Sequence, residues 1–260
     1  MIVGSDEVWK LEHGVFSKPF PNVYWINPSL KCKKIAMAAS ANRLVYNNLD
    51  NKLKERMAEM LSSFDLLGVR DNHTINFLLN IGINKPIYKV PDPTIAFTVP
   101  QVDIKSKLAQ TGINLNRPIA GINVAQRTAK TIDVDLSGYQ VVAYGRPYKN
   151  AHFDLSGTLN PFEWASFHKY LNLCVTDSYH STIFSLKNNV PVVVRDTDRR
   201  YKNTKSKIRD LLDDIDMLCC YGSVDEVIKR YNPDLAQKGL KHLKWLYGNF
   251  MGVVKNALNS

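Results

Sequence analysis

The sequence predicts an α/β protein with parallel sheets, arranged in two domains. Short apolar runs of strand length alternate with longer segments whose apolar residues recur at helical spacing. The segments between them are rich in residues typical of turns, namely glycine, proline, asparagine, aspartate and serine. A cluster of turn-forming residues at 112–118 interrupts this alternation. We place the domain boundary there, which gives domains of residues 1–114 and 115–260.

The elements can be assigned in chain order from apolar length and spacing. The predicted strands are 2–3, 24–26, 34–39, 66–69, 87–90, 119–124, 141–144, 173–175 and 190–194. The predicted helices are 49–64, 75–80, 104–109, 161–170, the segment after residue 178, 205–212, 224–231 and 233–258. Pro161 suits a first helical turn, and Gly82 ends the second helix.

Composition limits the function classes. The 260 residues are 45% hydrophobic and 22% charged, which is typical of a globular protein. Neither a bilayer-length apolar run nor a signal-peptide pattern is visible, so we expect a cytoplasmic protein. The four cysteines, Cys32, Cys174, Cys219 and Cys220, form no Cys-x-x-Cys pair. We expect free thiols in a reducing compartment, with Cys174 buried in a strand.

The net charge of +10 requires an explanation. Nucleic acid, an anionic membrane surface and anionic small substrates are the three candidates. No RNA-recognition or helix-turn-helix signature is present, and basic and aromatic residues do not interleave. The charge therefore favours an anionic substrate, or a lipid-linked one at an acidic membrane surface, and we expect no nucleic-acid partner.

The stretch Leu173–Lys187 has the pattern of a buried strand, a tight turn and a helix. In a parallel sheet this turn lies at the carboxyl end of a strand, and the helix amino terminus favours an anion. His180 is thus a candidate proton donor to an anionic substrate. Ser178 and Ser181 flank it, and we expect their hydroxyls to donate to the same anion. The alternative is that Asp177 or Ser178 only caps the helix and His180 packs in its first turn.

Two more turns carry candidate site residues. Arg70 lies between a strand and a helix, and its guanidinium is suited to a carboxylate or phosphate. The alternative is a surface ion pair with Asp71 or Asp65. Gly4-Ser5-Asp6 is a turn at a strand end that we expect to contact substrate, with its carboxylate holding a sugar hydroxyl. The alternative is a simple turn.

Arg195 and Arg199 follow the strand after the Leu173–Lys187 stretch, near the same sheet edge, so either could meet a substrate anion. The histidines show no metal-ligand spacing, and we predict no metal site. The glycine-rich nucleotide loops and the Gly-x-Ser-x-Gly elbow are also missing from the sequence.

Four stretches together resemble the polysaccharide pyruvyl transferase family. The opening Gly4-Ser-Asp-Glu-Val-Trp9 is similar to that family's Gly-Ser-Asp-Gln-Val-Trp segment. Arg70-Asp71 and Asp92-Pro93-Thr94 are similar to its Arg-Asp and Asp-Pro-Thr turns. The segment 176–185 is similar to its Thr-Asp-Ser-Phe-His-Gly-Thr-Ile-Phe-Ser signature.

The resemblance implies two Rossmann-like domains of GT-B type and transfer of a pyruvyl group from phosphoenolpyruvate onto two sugar hydroxyls, giving a ketal. It implies that Arg70 and His180 bind the donor anion; we expect His180 to act as acid or base and Asp6 to orient the acceptor. Some members have arginine where this chain has Ser178, so Arg195 or Arg199 would supply that cation. No cofactor is expected beyond the donor itself.

The resemblance also implies a further amino-terminal segment ahead of Gly4, so we expect an incomplete first domain that is unstable or covered by a partner. We expect the acceptor to be a sugar, free or lipid-linked. Peripheral contact with the inner membrane face and an oligomeric state stay open. The alternatives to pyruvyl transfer are a sugar-nucleotide glycosyltransferase of similar architecture and a non-catalytic remnant.

Overall fold

A computed structural model describes residues 1–11, 20–42, 44–99, 101–196 and 205–259. These residues form two compact α/β units, each built on a fully parallel sheet. The first unit comprises Met1–Ala96, Arg200–Asp210 and His242–Ser260, and the second comprises Phe97–Arg199 and Leu211–Lys241. The predicted fold class is therefore confirmed.

The described strands are β1 (Ile2–Asp6), β2 (Ile35–Ala39), β3 (Leu66–Val69), β4 (Ile87–Lys89), β5 (Ile119–Asn123), β6 (Gln140–Ala143), β7 (Phe153–Asp154), β8 (Leu173–Thr176) and β9 (Val192–Val194). The described α-helices are α1 (Asn51–Ser62), α2 (Asn72–Asn80), α3 (Pro93–Ala96), α4 (Lys105–Gln110), α5 (Gln126–Ala129), α6 (Pro161–Phe167), α7 (Tyr179–Lys187), α8 (Lys207–Asp214), α9 (Val224–Arg230) and α10 (Pro233–Asn259). No helix in the described part of the chain has the length and apolarity needed to span a membrane.

The sheet of the first unit has the order β1-β2-β3-β4. Its register pairs Asp6 with Ala39, Ala39 with Val69 and Val69 with Lys89. The residues that follow these positions therefore share the carboxyl edge of the sheet. This register collects the Gly-Ser-Asp, Arg-Asp and Asp-Pro-Thr turns at one edge.

The core of the first unit corrects one predicted strand. Residues 24–26 form a turn, and Trp25 and Ile26 are buried. The ring of Trp25 lies 6.1 Å from that of fully buried Trp9, which in turn lies 5.7 Å from Phe64. The apolar residues of this stretch were thus mistaken for a strand because they bury aromatic surface in the core without pairing to a neighbouring strand.

The sheet of the second unit has the order β7-β6-β5-β8-β9. The chain builds outward from β5 to β7 on one side and then returns to place β8 on the other side of β5. The carboxyl ends of β5 and β8 therefore form the topological switch point, where open α/β sheets bind their ligands.

Residues 97–118, which follow α3 and precede β5 in the chain, belong to the second unit. Ile104 and Leu108, at and within α4, are buried. The amide of Val102 donates to Ser166 Oγ at 3.2 Å, and Lys107 Nζ lies 2.7 Å from a carboxylate oxygen of Glu163. These contacts tie residues 102–108 to α6, so the compact units divide the chain at Ala96, ahead of the turn cluster at 112–118.

Candidate functional site

The turn between β8 and α7 lies at the switch point of the second sheet. Ser178 is the N-cap of α7, and its Oγ accepts the amide of Ser181 at 3.4 Å. His180 is the second residue of the helix and is half-buried, whereas Tyr179 is buried with its ring edge-on to His180. The capping role weighed for Ser178 is confirmed, and it leaves the imidazole of His180 partly exposed to solvent beside the helix amino terminus.

Hydrogen bonds between β5 and β8 hold this turn. Thr176 Oγ1 donates to the carbonyl of Asn123 at 2.6 Å and accepts the amide of Ser178 at 2.9 Å. The carboxylate of Asp177 accepts the amide of Ala125 at 3.0 Å and Thr128 Oγ1 at 2.5 Å. Because both strand ends are fixed in this way, the turn carries His180 on a rigid support.

Asn123 and Gly145 hold the underside of the turn. Asn123 Nδ2 donates to Ser181 Oγ at 2.8 Å, and both residues are buried. A Cβ at Gly145 would lie 2.5 Å from Asn123 Oδ1, so a side chain at position 145 would displace this amide. Ser181, predicted to contact substrate, is fully buried and has its described contact with Asn123. Its role toward a substrate stays a prediction.

Arg146 is a site residue that the sequence analysis did not single out. It follows β6 at the same sheet edge, and its Nη1 lies 3.3 Å from Asp177 Oδ1 with 52% of the side chain exposed. A signal was present, because Gly145-Arg146-Pro147 ends a strand as the other candidate turns do. The structure thus brings a partly exposed guanidinium to the turn that carries His180.

The two arginines that were predicted to meet a substrate anion at this edge are Arg195 and Arg199. Arg195 is half-buried, and its Nη1 donates to the carbonyls of Gly222 at 2.8 Å and Val194 at 3.2 Å. Arg199 lies outside the described residues. The described contacts of Arg195 are therefore with the backbone, and its predicted contact with substrate stays a prediction.

At the carboxyl edge of the first sheet, Arg70 lies between two carboxylates. Its Nη1 is 2.7 Å from Asp92 and its Nη2 is 3.1 Å from Asp6. The side chains of Arg70 and Asp92 are each 1% exposed, whereas that of Asp6 is 61% exposed. Asp71 caps α2 and accepts Ser40 Oγ. Arg70 is therefore not the surface residue that the alternative to anion binding required, and its described ion pairs are with Asp92 and Asp6.

The carboxylate of Asp6 is exposed, and neighbouring positive charges stabilise its ionised form. Partial burial opposes its ionisation, but the charges of Arg70 and Lys207 outweigh that effect and hold the pKa of Asp6 below its ordinary value. Lys207 Nζ is 3.9 Å from Asp6 and 2.6 Å from Glu7. In Glu7 too the charge of Lys207 outweighs partial burial, so its pKa is lowered. Asp6 is therefore an ionised hydrogen-bond acceptor at neutral pH.

Gly4 and Ser5 are the strand residues that lead to Asp6. A Cβ at Gly4 would lie 1.9 Å from the carbonyl oxygen of Met37 on β2, and its φ of +124° is accessible only to glycine. Ser5 is half-buried. The contact of both residues with substrate stays a prediction, but Gly4 has a clear structural role in the close approach of β1 to β2.

The described residues contain no group of three or more histidine, cysteine, aspartate or glutamate side chains arranged to hold a metal ion. The second unit thus has a histidine at a helix amino terminus and a guanidinium at the same turn. The first unit has an ionised carboxylate at the carboxyl edge of its own sheet.

Comparison with protein families assigns the chain. A family model described as polysaccharide pyruvyl transferase matches residues 1–199. The chain belongs to this family. The resemblance drawn from the four sequence stretches is confirmed, and both the Asp6 turn and the His180 turn of the chain lie inside the matched region.

Comparison with solved structures supports the fold. A crystal structure of a protein from Listeria monocytogenes, assigned as a UDP-N-acetylglucosamine 2-epimerase, matches with a TM-score of 0.52 at 14% identity, covering 87% of this chain and 68% of that chain. The two Rossmann-like units of the chain are thus GT-B-like, as predicted. No curated protein matches the chain.

Proposed function

We propose that this pyruvyl transferase moves the pyruvyl group of phosphoenolpyruvate onto two hydroxyls of a sugar in a polysaccharide or lipid-linked glycan. The product is a cyclic ketal, and inorganic phosphate is released. The observation that carries the proposal is the position of His180, partly exposed at a helix amino terminus and at the switch point of the second sheet, in a member of this family.

The donor requires cationic anchors, and the second unit offers two kinds. The amino terminus of α7 carries a partial positive charge suited to a phosphate or carboxylate. Arg146 adds a guanidinium that can form paired hydrogen bonds with either group. Some family members have an arginine where this chain has Ser178, and we assign the role of that cation to Arg146 in place of Arg195 or Arg199. Arg146 is beside the turn, and half of its side chain is exposed.

His180 is assigned the proton transfers. Protonation of the methylene carbon of phosphoenolpyruvate by the imidazolium leaves an oxocarbenium-like centre at C2. The first sugar hydroxyl adds there and gives up its proton to a base. Phosphate then departs with its bonding electrons, and the second hydroxyl adds and gives up its proton to close the ketal. The donor and the diol thus yield the ketal and phosphate, and neutral imidazole can take up a hydroxyl proton.

Asp6 is assigned the role of orienting a hydroxyl of the acceptor sugar by accepting a hydrogen bond from it. A carboxylate with a lowered pKa is a weak base but a good hydrogen-bond acceptor, which suits orientation of a hydroxyl. Arg70 fixes Asp6 through the 3.1 Å contact, so we assign Arg70 a positioning role. A direct contact between Arg70 and the donor, as first predicted, would require the donor to displace Asp6 from Nη2.

The test is phosphate release from phosphoenolpyruvate in the presence of acceptor glycans. We expect His180→Ala to lower kcat by about 10²–10⁴-fold, because a positioned acid contributes that much to proton transfer. His242→Ala is the matched control, since His242 is exposed on α10. Turnover of His180→Ala near that of wild type would remove His180 from the mechanism.

A thermal-shift measurement separates the alternatives. We expect phosphoenolpyruvate to raise the melting temperature of the protein and a nucleoside diphosphate to leave it unchanged. The opposite pattern would favour a sugar-nucleotide glycosyltransferase, and acceptor binding without phosphate release would indicate a non-catalytic protein.

A further inference from the structure

A cavity of about 480 Å³ lies in the first unit, beside α2, and is open to solvent along exposed asparagine residues. Its lining includes Leu44 and the short 3-10 turn at Tyr46–Asn48, one side of α2, and the start of α8 with the residues just before it. The volume is that of a small-molecule site. Among the residues to which the proposed donor chemistry was assigned, none lines this cavity.

Asparagine side chains dominate the polar lining. Asn72, Asn76 and Asn80 stand one helical turn apart on α2, and Asn47 lines the cavity from the 3-10 turn. The row on α2 rises about 6 Å per step and spans about 12 Å in all. Within the described part of the chain, the amides of Asn47, Asn76 and Asn80 form no hydrogen bond with protein. Each of these amides can offer two donors and an acceptor to a ligand.

The aromatic lining is held in place. The ring of Tyr46 has Lys54 Nζ 4.4 Å from its centroid. The ring of His73 is fixed by a hydrogen bond from Nε2 to the carbonyl of Leu44 at 3.0 Å. Because the carbonyl only accepts, Nε2 carries the proton. Flat rings beside a row of amides can pack against the C–H face of a sugar while the amides bind its hydroxyls.

The charges of the cavity favour a neutral ligand. Asp210 is buried and accepts the amide of Asn72 at 2.8 Å and its Nδ2 at 2.5 Å. Lys89 Nζ is 3.4 Å from the same carboxylate. The charge of Asp210 is therefore compensated within the protein, and Lys205 is the other charged residue of the described lining. An anionic ligand would meet side-chain amides and the carboxylate of Asp210 here, in place of the exposed Arg146 side chain of the second unit.

We propose that this asparagine cavity binds neutral sugar residues of the acceptor glycan, an inference that rests on the proposed function. Asn72 directly follows the Arg70–Asp71 turn, so one end of the cavity adjoins the sheet edge where Arg70 holds Asp6. The length of the asparagine row suits a stretch of glycan longer than a single ring. The amides of Asn76 and Asn80 are the specificity-determining groups.

The binding test uses the full chain and a panel of methyl glycosides of hexoses and N-acetylhexosamines. Saturation-transfer NMR with wild type should show contact with at least one glycoside, and Asn76→Ala combined with Asn80→Ala should abolish it. Asn256→Ala is the matched control, because Asn256 is an exposed helical asparagine on α10. If no glycoside shows transfer to wild type, or if the double variant keeps the signal, the cavity is not a saccharide site.

The kinetic test separates this inference from the proposed function. We expect each single variant to raise KM for the acceptor roughly fivefold, because it removes hydrogen bonds to a neutral group, with KM for phosphoenolpyruvate unchanged. Unchanged acceptor KM in an active double variant would overturn the cavity assignment. Absence of phosphate release by wild type would overturn the proposed function, while loss of the NMR signal in the double variant would still support a saccharide site.

Discussion

The carboxyl edges of the two sheets use charge in different ways. In the first unit Arg70 is buried between Asp92 and Asp6, and Lys207 lies beside Asp6 and Glu7. In the second unit hydroxyls and amides hold the turn, and Arg146 pairs with Asp177 while half exposed. The comparison teaches that buried ion pairs fix a strand end, whereas a partly exposed cation keeps its capacity to bind an anion.

The largest expected difference between the two edges is in the stability lost when Arg70 or Arg146 is replaced. We expect Arg70→Met to lower the free energy of unfolding by about 3–5 kcal/mol, because Asp92 would keep a buried and uncompensated charge. Arg146→Met should cost less than about 1 kcal/mol, as for exposed pairs. Urea unfolding measures both variants, and equal losses would contradict the contrast. In steady-state kinetics Arg146→Met should raise KM for phosphoenolpyruvate roughly tenfold, the effect of losing one charged hydrogen bond.

Acid should affect the two units over different pH ranges. His168 is fully buried, accepts from Tyr144 at Nε2 and donates from Nδ1 to the carbonyl of Trp164. Burial lowers the pKa of His168 from 6.5 to about 4. The unfolded chain therefore takes up a proton that the folded one excludes, and stability falls as pH drops from 6.5 to 4, by about 3 kcal/mol in total.

The variant that tests this effect replaces His168 in the second unit, and two carboxylates of the first unit provide the comparison. His168→Gln cannot take up a proton, so its stability should vary less between pH 6.5 and 4. The pKa values of Asp6 and Glu7 are lower in the folded protein than their ordinary values of 3.8 and 4.5. Their ion pairs therefore stabilise the fold at higher pH, and this stabilisation is lost only as pH falls below those ordinary values. Thermal unfolding at a series of pH values measures this, and an unchanged slope in His168→Gln would show that another group is responsible.

A smaller effect is expected at the underside of the His180 turn. Gly145→Ala would push its methyl group into Asn123 and should cost about 1–3 kcal/mol by overpacking. It should also lower kcat, because Asn123 supports Ser181 in the first turn of α7. Gly248→Ala on α10, where a methyl group meets nothing within 4 Å, is the control and should gain about 0.5–1 kcal/mol. Wild-type stability and kcat in Gly145→Ala would show that the turn tolerates displacement.

Local pattern predicted most long elements and fewer of the short ones. The strand at residues 66–69 was predicted with the bounds of β3, and residues 173–175 fall one residue short of β8. Both are apolar runs that end at turn residues, so the run predicts a buried strand and the turn residues mark where it ends. The helices α3 and α5 have four residues each and β7 has two, which is too short for periodicity to register. Trp25 was misassigned because its burial comes from contact with Trp9.

The sequence by itself determined the fold class, the family and the turns that carry Asp6, Arg70 and His180. Those features depend on residues adjacent in the chain, and local chemistry encodes them. The tertiary structure decided which side chains meet: Arg146 with Asp177, Asn123 with Ser181, and Arg70 with Asp92. These partners are 31, 58 and 22 residues apart, and the register of parallel strands brings them together. No local pattern contains that register, because it is set by packing of the whole sheet.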